Sequence, residues 1–200
     1  MKIGVLGGTF DPVHIGHLIV AEEVRSKLEL AEVIFVPAGQ PWLKSHRSIS
    51  PAADRLEMLR RALQSNPHFR VSTVDINRPG PSYSVDTITD LQDQLGAEAQ
   101  FHFIIGPDAL VGLPTWREPA RLVEMCQIVG VTRPGYQDFD LKLLEPTIPQ
   151  ASRRIMLLEV PQIGVSSSEI RERVAQGLPI RYQVPEPVEE YIRQHKLYVR

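Results

Sequence analysis

Short apolar runs rich in β-branched residues alternate along the chain with longer stretches whose apolar positions recur at helical spacing. The runs at 3–6, 33–36, 71–74, 101–105, 128–131 and 155–160 predict strands, and several are continuously apolar, as strands covered on both faces are. Helical patterns lie between them at 15–28, 51–64, 85–95 and 118–125. That alternation predicts an α/β fold built of βαβ units around an open, mostly parallel sheet with helices on both faces. Ser50 is placed to cap the second helix and Pro51 to open it. Ser166 and Glu169 form a possible capping box for a helix that Gly177 can stop, and a last helix is expected over 187–195. Proline and glycine cluster at 37–41, 79–81 and 134–149, which read as loops. Residues 1–200 are expected to form one domain, with 161–200 as a small helical portion.

Composition narrows the class. Over 200 residues, 42% hydrophobic and 23% charged is a globular balance, which excludes a disordered or fibrous chain. Lys+Arg 22 against Asp+Glu 24 leaves a net charge of −2, so no electrostatic footprint for nucleic acid is present. The single Cys126 cannot form an intramolecular disulfide, and no CxxC or His/Cys cluster offers a protein-built metal site. No apolar run reaches membrane length. The expectation is a cytoplasmic protein with no membrane or nucleic-acid partner; the patterning leaves the oligomeric state open.

The chemistry concentrates where the first strand hands over to the first helix, in Gly7-Gly8-Thr9-Phe10-Asp11-Pro12-Val13-His14-Ile15-Gly16-His17. In open α/β sheets ligands bind beyond the carboxyl ends of the strands, where a helix N-terminus offers unpaired N–H groups to an anion. The spacing is neither GxxxxGK[ST] nor GxGxxG, which sets two common phosphate loops aside. His14 and His17, three apart, would share a helix face and donate together to one phosphate. Gly16 between them is expected to keep a side chain out of the ligand's way.

The segment GGTFDPVHIGH resembles the phosphate-binding motif of the HxGH nucleotidyltransferase superfamily, which implies a Rossmann-like fold. Segments spread over nearly the whole chain resemble, more narrowly, the bacterial nicotinate-nucleotide adenylyltransferase family: Val36-Pro37 with Pro41-Trp42-Leu43-Lys44, Pro81-Ser82-Tyr83-Ser84-Val85-Asp86-Thr87, Ile104-Ile105-Gly106-Pro107-Asp108 with Thr115-Trp116, Arg133-Pro134-Gly135-Tyr136, and Val165-Ser166-Ser167-Ser168-Glu169-Ile170-Arg171. The resemblance implies adenylyl transfer from ATP to nicotinate mononucleotide, giving deamido-NAD and pyrophosphate in NAD biosynthesis. It implies small-molecule substrates, with magnesium carried by ATP.

Residue by residue, His14 and His17 are the expected catalytic donors. Gly7, Gly8, Thr9, Phe10, Gly106, Arg133, Ser166, Ser167, Ser168 and Arg171 are expected around ATP and its phosphates. A run of serines at a helix start with an arginine one turn on supplies hydroxyl, backbone and guanidinium donors. For the mononucleotide, Trp116 can stack on the pyridine ring, and the resemblance implies backbone N–H groups at Ser84 and Arg117 for its carboxylate. Lys44 and Asp108 complete that set as a cation for phosphate and an acceptor for ribose hydroxyls. Ser84 stands where the family more often has threonine, and Pro-Trp-Leu-Lys where it often has Pro-Pro-His-Lys.

Overall fold

The computed structural model describes residues 1–41, 49–96, 98–132, 139–161 and 163–199. Its strands are β1 (Lys2–Gly8), β2 (Glu32–Pro37), β3 (Phe69–Val71), β4 (Gln100–Ile105), β5 (Gln127–Thr132) and β6 (Ile155–Glu159). They form one sheet in the order β3-β2-β1-β4-β5-β6, and every pairing is parallel. This is the doubly wound order whose reversal point lies between β1 and β4.

The helices are α1 (Ile15–Lys27), α2 (Ala52–Leu63), α3 (Val74–Asn77), α4 (Ser84–Leu95), α5 (Pro107–Gly112), α6 (Pro119–Met125), α7 (Ala151–Arg154), α8 (Ser167–Ala175) and α9 (Glu186–Gln194). Side chains alternate across each strand, so the apolar runs feed two cores. Leu6, Val33, Phe35 and Ile104 face one core, with Val24 of α1, Met58 of α2, Ile170 of α8 and Val188 of α9. Ile3, Val5, Ile34 and Phe103 face the other, with Ile88 of α4, Leu110 of α5, Leu122 of α6 and Ala151 of α7. α1 leaves β1 toward the first core and α5 leaves β4 toward the second, which opens a crevice at the carboxyl ends of these adjacent strands.

Three expectations are corrected. The third strand occupies 69–71, not 71–74, because Val74 begins the short α3 and turns the chain under the sheet edge. Ser50 does not cap α2; Pro51 holds the N-cap position, while the Ser50 backbone bonds to Asp11 and Arg55. Within the stretch read as loop, Leu141–Leu144 forms a 3-10 turn capped by the Asp140 carboxylate, which accepts from the Lys142 N–H.

Candidate active site

β1 ends in Gly7-Gly8, opposite Val36 and Pro37 of β2, and the chain then bends through Thr9–Val13 into α1. A Cβ on Gly8 would lie 2.9 Å from Phe10 Cζ, so glycine there lets the Phe10 ring fold beneath the loop. Phe10 adopts a left-handed backbone (φ 50°) and is almost wholly buried. That conformation costs on the order of 1–2 kcal/mol, which burial of the ring offsets. The Phe10 ring packs edge-on against His17, centroids 5.1 Å apart, and fixes that imidazole, while the residue also lines the smaller of the site's two cavities.

His14 does not lie inside the helix as its spacing implied. It is the extended N-cap residue of α1, with φ −141° and ψ 168°. The two imidazoles nevertheless stack, with centroids 3.7 Å apart and planes 27° from parallel. The His14 backbone N–H donates to His17 Nδ1 at 3.2 Å, which leaves Nε2 of a neutral His17 as its N–H. Burial pulls the His14 pKa down from 6.5 to about 4, so this ring is neutral near pH 7, and its buried Nδ1 has no hydrogen-bond partner among the described residues. Gly16 lines the larger cavity and also makes room for the His14 ring: a Cβ there would lie 3.1 Å from His14 Cε1 and Nδ1.

The imidazole pair stands between two cavities. The larger, about 510 Å³, opens over the β1/β4 reversal point and is lined by Gly7, Gly8, Thr9, His14, His17, Ser84, Gly106 and Trp116, with Asp75, Thr87, Ile163 and Val165 among others. The smaller, about 330 Å³, is lined by Gly8, Thr9, Phe10, Asp11, His14, His17, Ile49, Val165, Ser166, Ser167, Ser168 and Arg171. Gly106 faces open space at the N-cap of α5, and Trp116 stands edge-on to Phe103 across the larger cavity's wall. Ser84 is the first residue of α4, whose N-cap residue Tyr83 supplies no side-chain acceptor, so that helix end presents N–H groups at the cleft.

Ser166 caps α8 by accepting from Glu169 N–H at 3.2 Å, as the sequence implied. Ser167 Oγ donates to the Pro12 carbonyl at 2.9 Å and Arg171 Nη1 to the Asp11 carbonyl at 2.6 Å, so α8 grips the β1–α1 loop while Arg171 Nη2 reaches Ser168 Oγ. Asp108 is exposed on α5 and Arg117 lies over the Tyr83 ring, 3.5 Å from Glu118; neither lines either cavity. Lys44 and Arg133 lie outside the described residues. Among the described residues no three His, Cys, Asp or Glu side chains group as a metal site.

Sequence reasoning missed two features of the site. Asp75, at the cleft wall, accepts from Thr87 Oγ1 at 2.7 Å and pairs with Arg78, which also binds Asp90; burial raises its pKa against those partners. Arg55 is 2% exposed, and its guanidinium donates to the carbonyls of Thr9, Gly39 and Ser50. Its signal was available: it shares the buried stripe of α2 with Met58, Leu59 and Ala62, where a cation has no place unless paired.

A family model described as cytidylyltransferase-like matches residues 5–173. The chain is 50% identical over 197 residues to a probable nicotinate-nucleotide adenylyltransferase of Thermomicrobium roseum, covering 98% of this chain and 91% of that protein. It is 44% identical over 200 residues to one of Dehalococcoides mccartyi, covering 100% and 98%. The chain belongs to the cytidylyltransferase-like family and, inside it, to the nicotinate-nucleotide adenylyltransferase family. Among solved structures, a Plasmodium falciparum nicotinic acid mononucleotide adenylyltransferase complexed with NaAD superposes with a TM-score of 0.77, covering 98% of this chain and 97% of that one. At 19% identity that likeness is one of fold.

Proposed function

We infer that this chain transfers the adenylyl group of ATP to the 5′-phosphate of nicotinate mononucleotide, giving deamido-NAD and pyrophosphate. The observation that carries this reading is the stacked imidazole pair at the junction of two cavities. The smaller suits a polyphosphate tail, with serine hydroxyls and Arg171 around it. The larger has the volume and the aromatic wall for nucleoside and pyridine.

In this reading the mononucleotide phosphate oxygen attacks the α-phosphorus; the new P–O bond forms as the bond to the β-phosphate bridging oxygen breaks, and pyrophosphate leaves. A phosphate monoester is already anionic, so the chain needs no nucleophile of its own. It has to align two anions and stabilise charge on the transferring group. His17 Nε2–H, a neutral but polar His14 and the N–H groups after Gly7-Gly8 meet that need at fixed positions. Magnesium carried on the ATP phosphates would supply further positive charge there. Lys44 and Arg133 remain in this reading as phosphate partners by resemblance.

The open N-terminus of α4 at Ser84 favours a carboxylate acceptor. A nicotinamide NH₂ would meet those N–H groups donor to donor and leave them unpaired. The deciding experiment is pyrophosphate release from ATP with nicotinate mononucleotide, nicotinamide mononucleotide and pantetheine phosphate as acceptors. The highest kcat/KM is expected for the nicotinate form; a higher value for either other acceptor overturns the assignment. In the same assay, His17→Ala is expected to lower kcat by roughly a hundredfold to a thousandfold.

A further inference from the structure

The loop that carries the glycines and leads to His14 is held mainly from outside itself. On its cavity side, α8 donates to the Asp11 and Pro12 carbonyls through Arg171 and Ser167. Behind it lies a second set of bonds whose partners line neither cavity. The Asp11 carboxylate, 4% exposed, accepts from Tyr198 O–H at 2.7 Å on Oδ1 and from the Ser50 N–H at 3.3 Å on Oδ2. Arg55 donates at 2.8 Å to the Thr9 carbonyl and at 3.0 Å to that of Ser50, so the buried cation and the buried carboxylate both bond to the backbone of Ser50, one at its C=O and the other at its N–H.

These partners come from distant parts of the chain. Tyr198 follows α9 and stands 187 residues from Asp11; Arg55 belongs to α2. Between the two anchored residues lies Phe10, whose left-handed backbone needs support from its surroundings, and whose ring abuts His17. A shift of Asp11 therefore moves Phe10 and, with it, the imidazole.

We propose that Tyr198, with Asp11 and Arg55, is a positioning residue of the adenylyl-transfer site: its phenol holds the Asp11 carboxylate, and the Asp11–Arg55 couple sets the phosphate loop against ATP. This rests on the reaction inferred above. It assigns the segment after α9 a part in the nucleotide site although Tyr198 lines neither cavity. Tyr198→Phe removes one hydroxyl and leaves Asp11 Oδ1 buried without its donor.

The test compares the parent chain with Tyr198→Phe, using Tyr182→Phe, 79% exposed and a member of none of these bonds, as the control for losing a phenol. Calorimetric titration with ATP alone is expected to show Kd raised about tenfold in Tyr198→Phe and unchanged in the control. In turnover, kcat is expected to fall about tenfold, while KM for nicotinate mononucleotide stays within twofold, because Trp116 and Ser84 are untouched. Tyr198→Phe that is folded and binds ATP within twofold of the parent overturns the proposal. So does one unfolded at 25 °C, since the bond would then hold the fold and not the loop. The ATP arm uses no acceptor, so a parent that fails with nicotinate mononucleotide sinks the reaction assigned above and leaves this test standing.

Discussion

His14 shows how one residue's surroundings set its chemistry. Its ring is buried against His17 and the backbone of Gly16, and that burial, with no compensating carboxylate among the described residues, lowers its pKa from 6.5 to about 4. The sign follows from linkage. The folded chain resists protonating His14 while the unfolded chain does not, so the associated stability is complete above pH 6.5 and is lost as pH falls toward 4. The gap corresponds to at most about 3 kcal/mol. A proton NMR titration is expected to place the His14 midpoint near pH 4, and a midpoint near 6.5 would refute burial as its controlling term. Neutrality also suits catalysis, because a neutral imidazole donates without needing a counter-ion when the site is empty.

At the scale of elements, the site depends on close approaches between segments. Gly39, just beyond β2, has no room for a Cβ, which would lie 2.3 Å from the carbonyl of Asp75 in α3. Its N–H donates to Ser82 Oγ at 2.9 Å, ahead of α4, so the ends of β2, α3 and α4 are drawn together at the wall of the larger cavity. Gly39→Ala must push backbone apart and is expected to cost about 1–3 kcal/mol, read as a lower urea midpoint at unchanged slope. Gly106→Ala meets nothing within 4 Å and is expected to leave that midpoint in place, while raising KM for ATP. Equal stability losses in the two variants would show that backbone contact at Gly39 is not what distinguishes them.

For the whole molecule, the first core runs from Leu6 of β1 to Ile192 of α9, and the second lies on the opposite face of the same strands. Neither core can be dismantled without disturbing the sheet between them. We propose that residues 1–200, with 161–200 included, unfold as one unit. Urea unfolding followed by tryptophan fluorescence and by far-UV circular dichroism is expected to give coincident midpoints. Separated midpoints would mean that α8 and α9 detach on their own, which would also release Ser167, Arg171 and Tyr198 from the phosphate loop.

What the chain reveals without its coordinates is local. Strand and helix periodicity, the glycine-histidine loop and the Ser166 cap follow from side-chain spacing and backbone preference, which act over a few residues. The β3 boundary was misplaced because 71–74 is apolar enough for a strand, and only its position at the sheet edge turns Val74 into a helix start. Asp108 and Arg117 line neither cavity, although their neighbours in sequence Pro107, Ala109 and Trp116 line the larger, a distinction that spacing along the chain does not carry. Arg55 had a local signal in the buried stripe of α2, whereas Asp75 and Tyr198 had no local signature of function. The partners Thr9, Thr87 and Asp11 lie 46, 12 and 187 residues from them, and only tertiary packing, by burying charge and hydroxyl where water cannot satisfy them, brings those partners into reach.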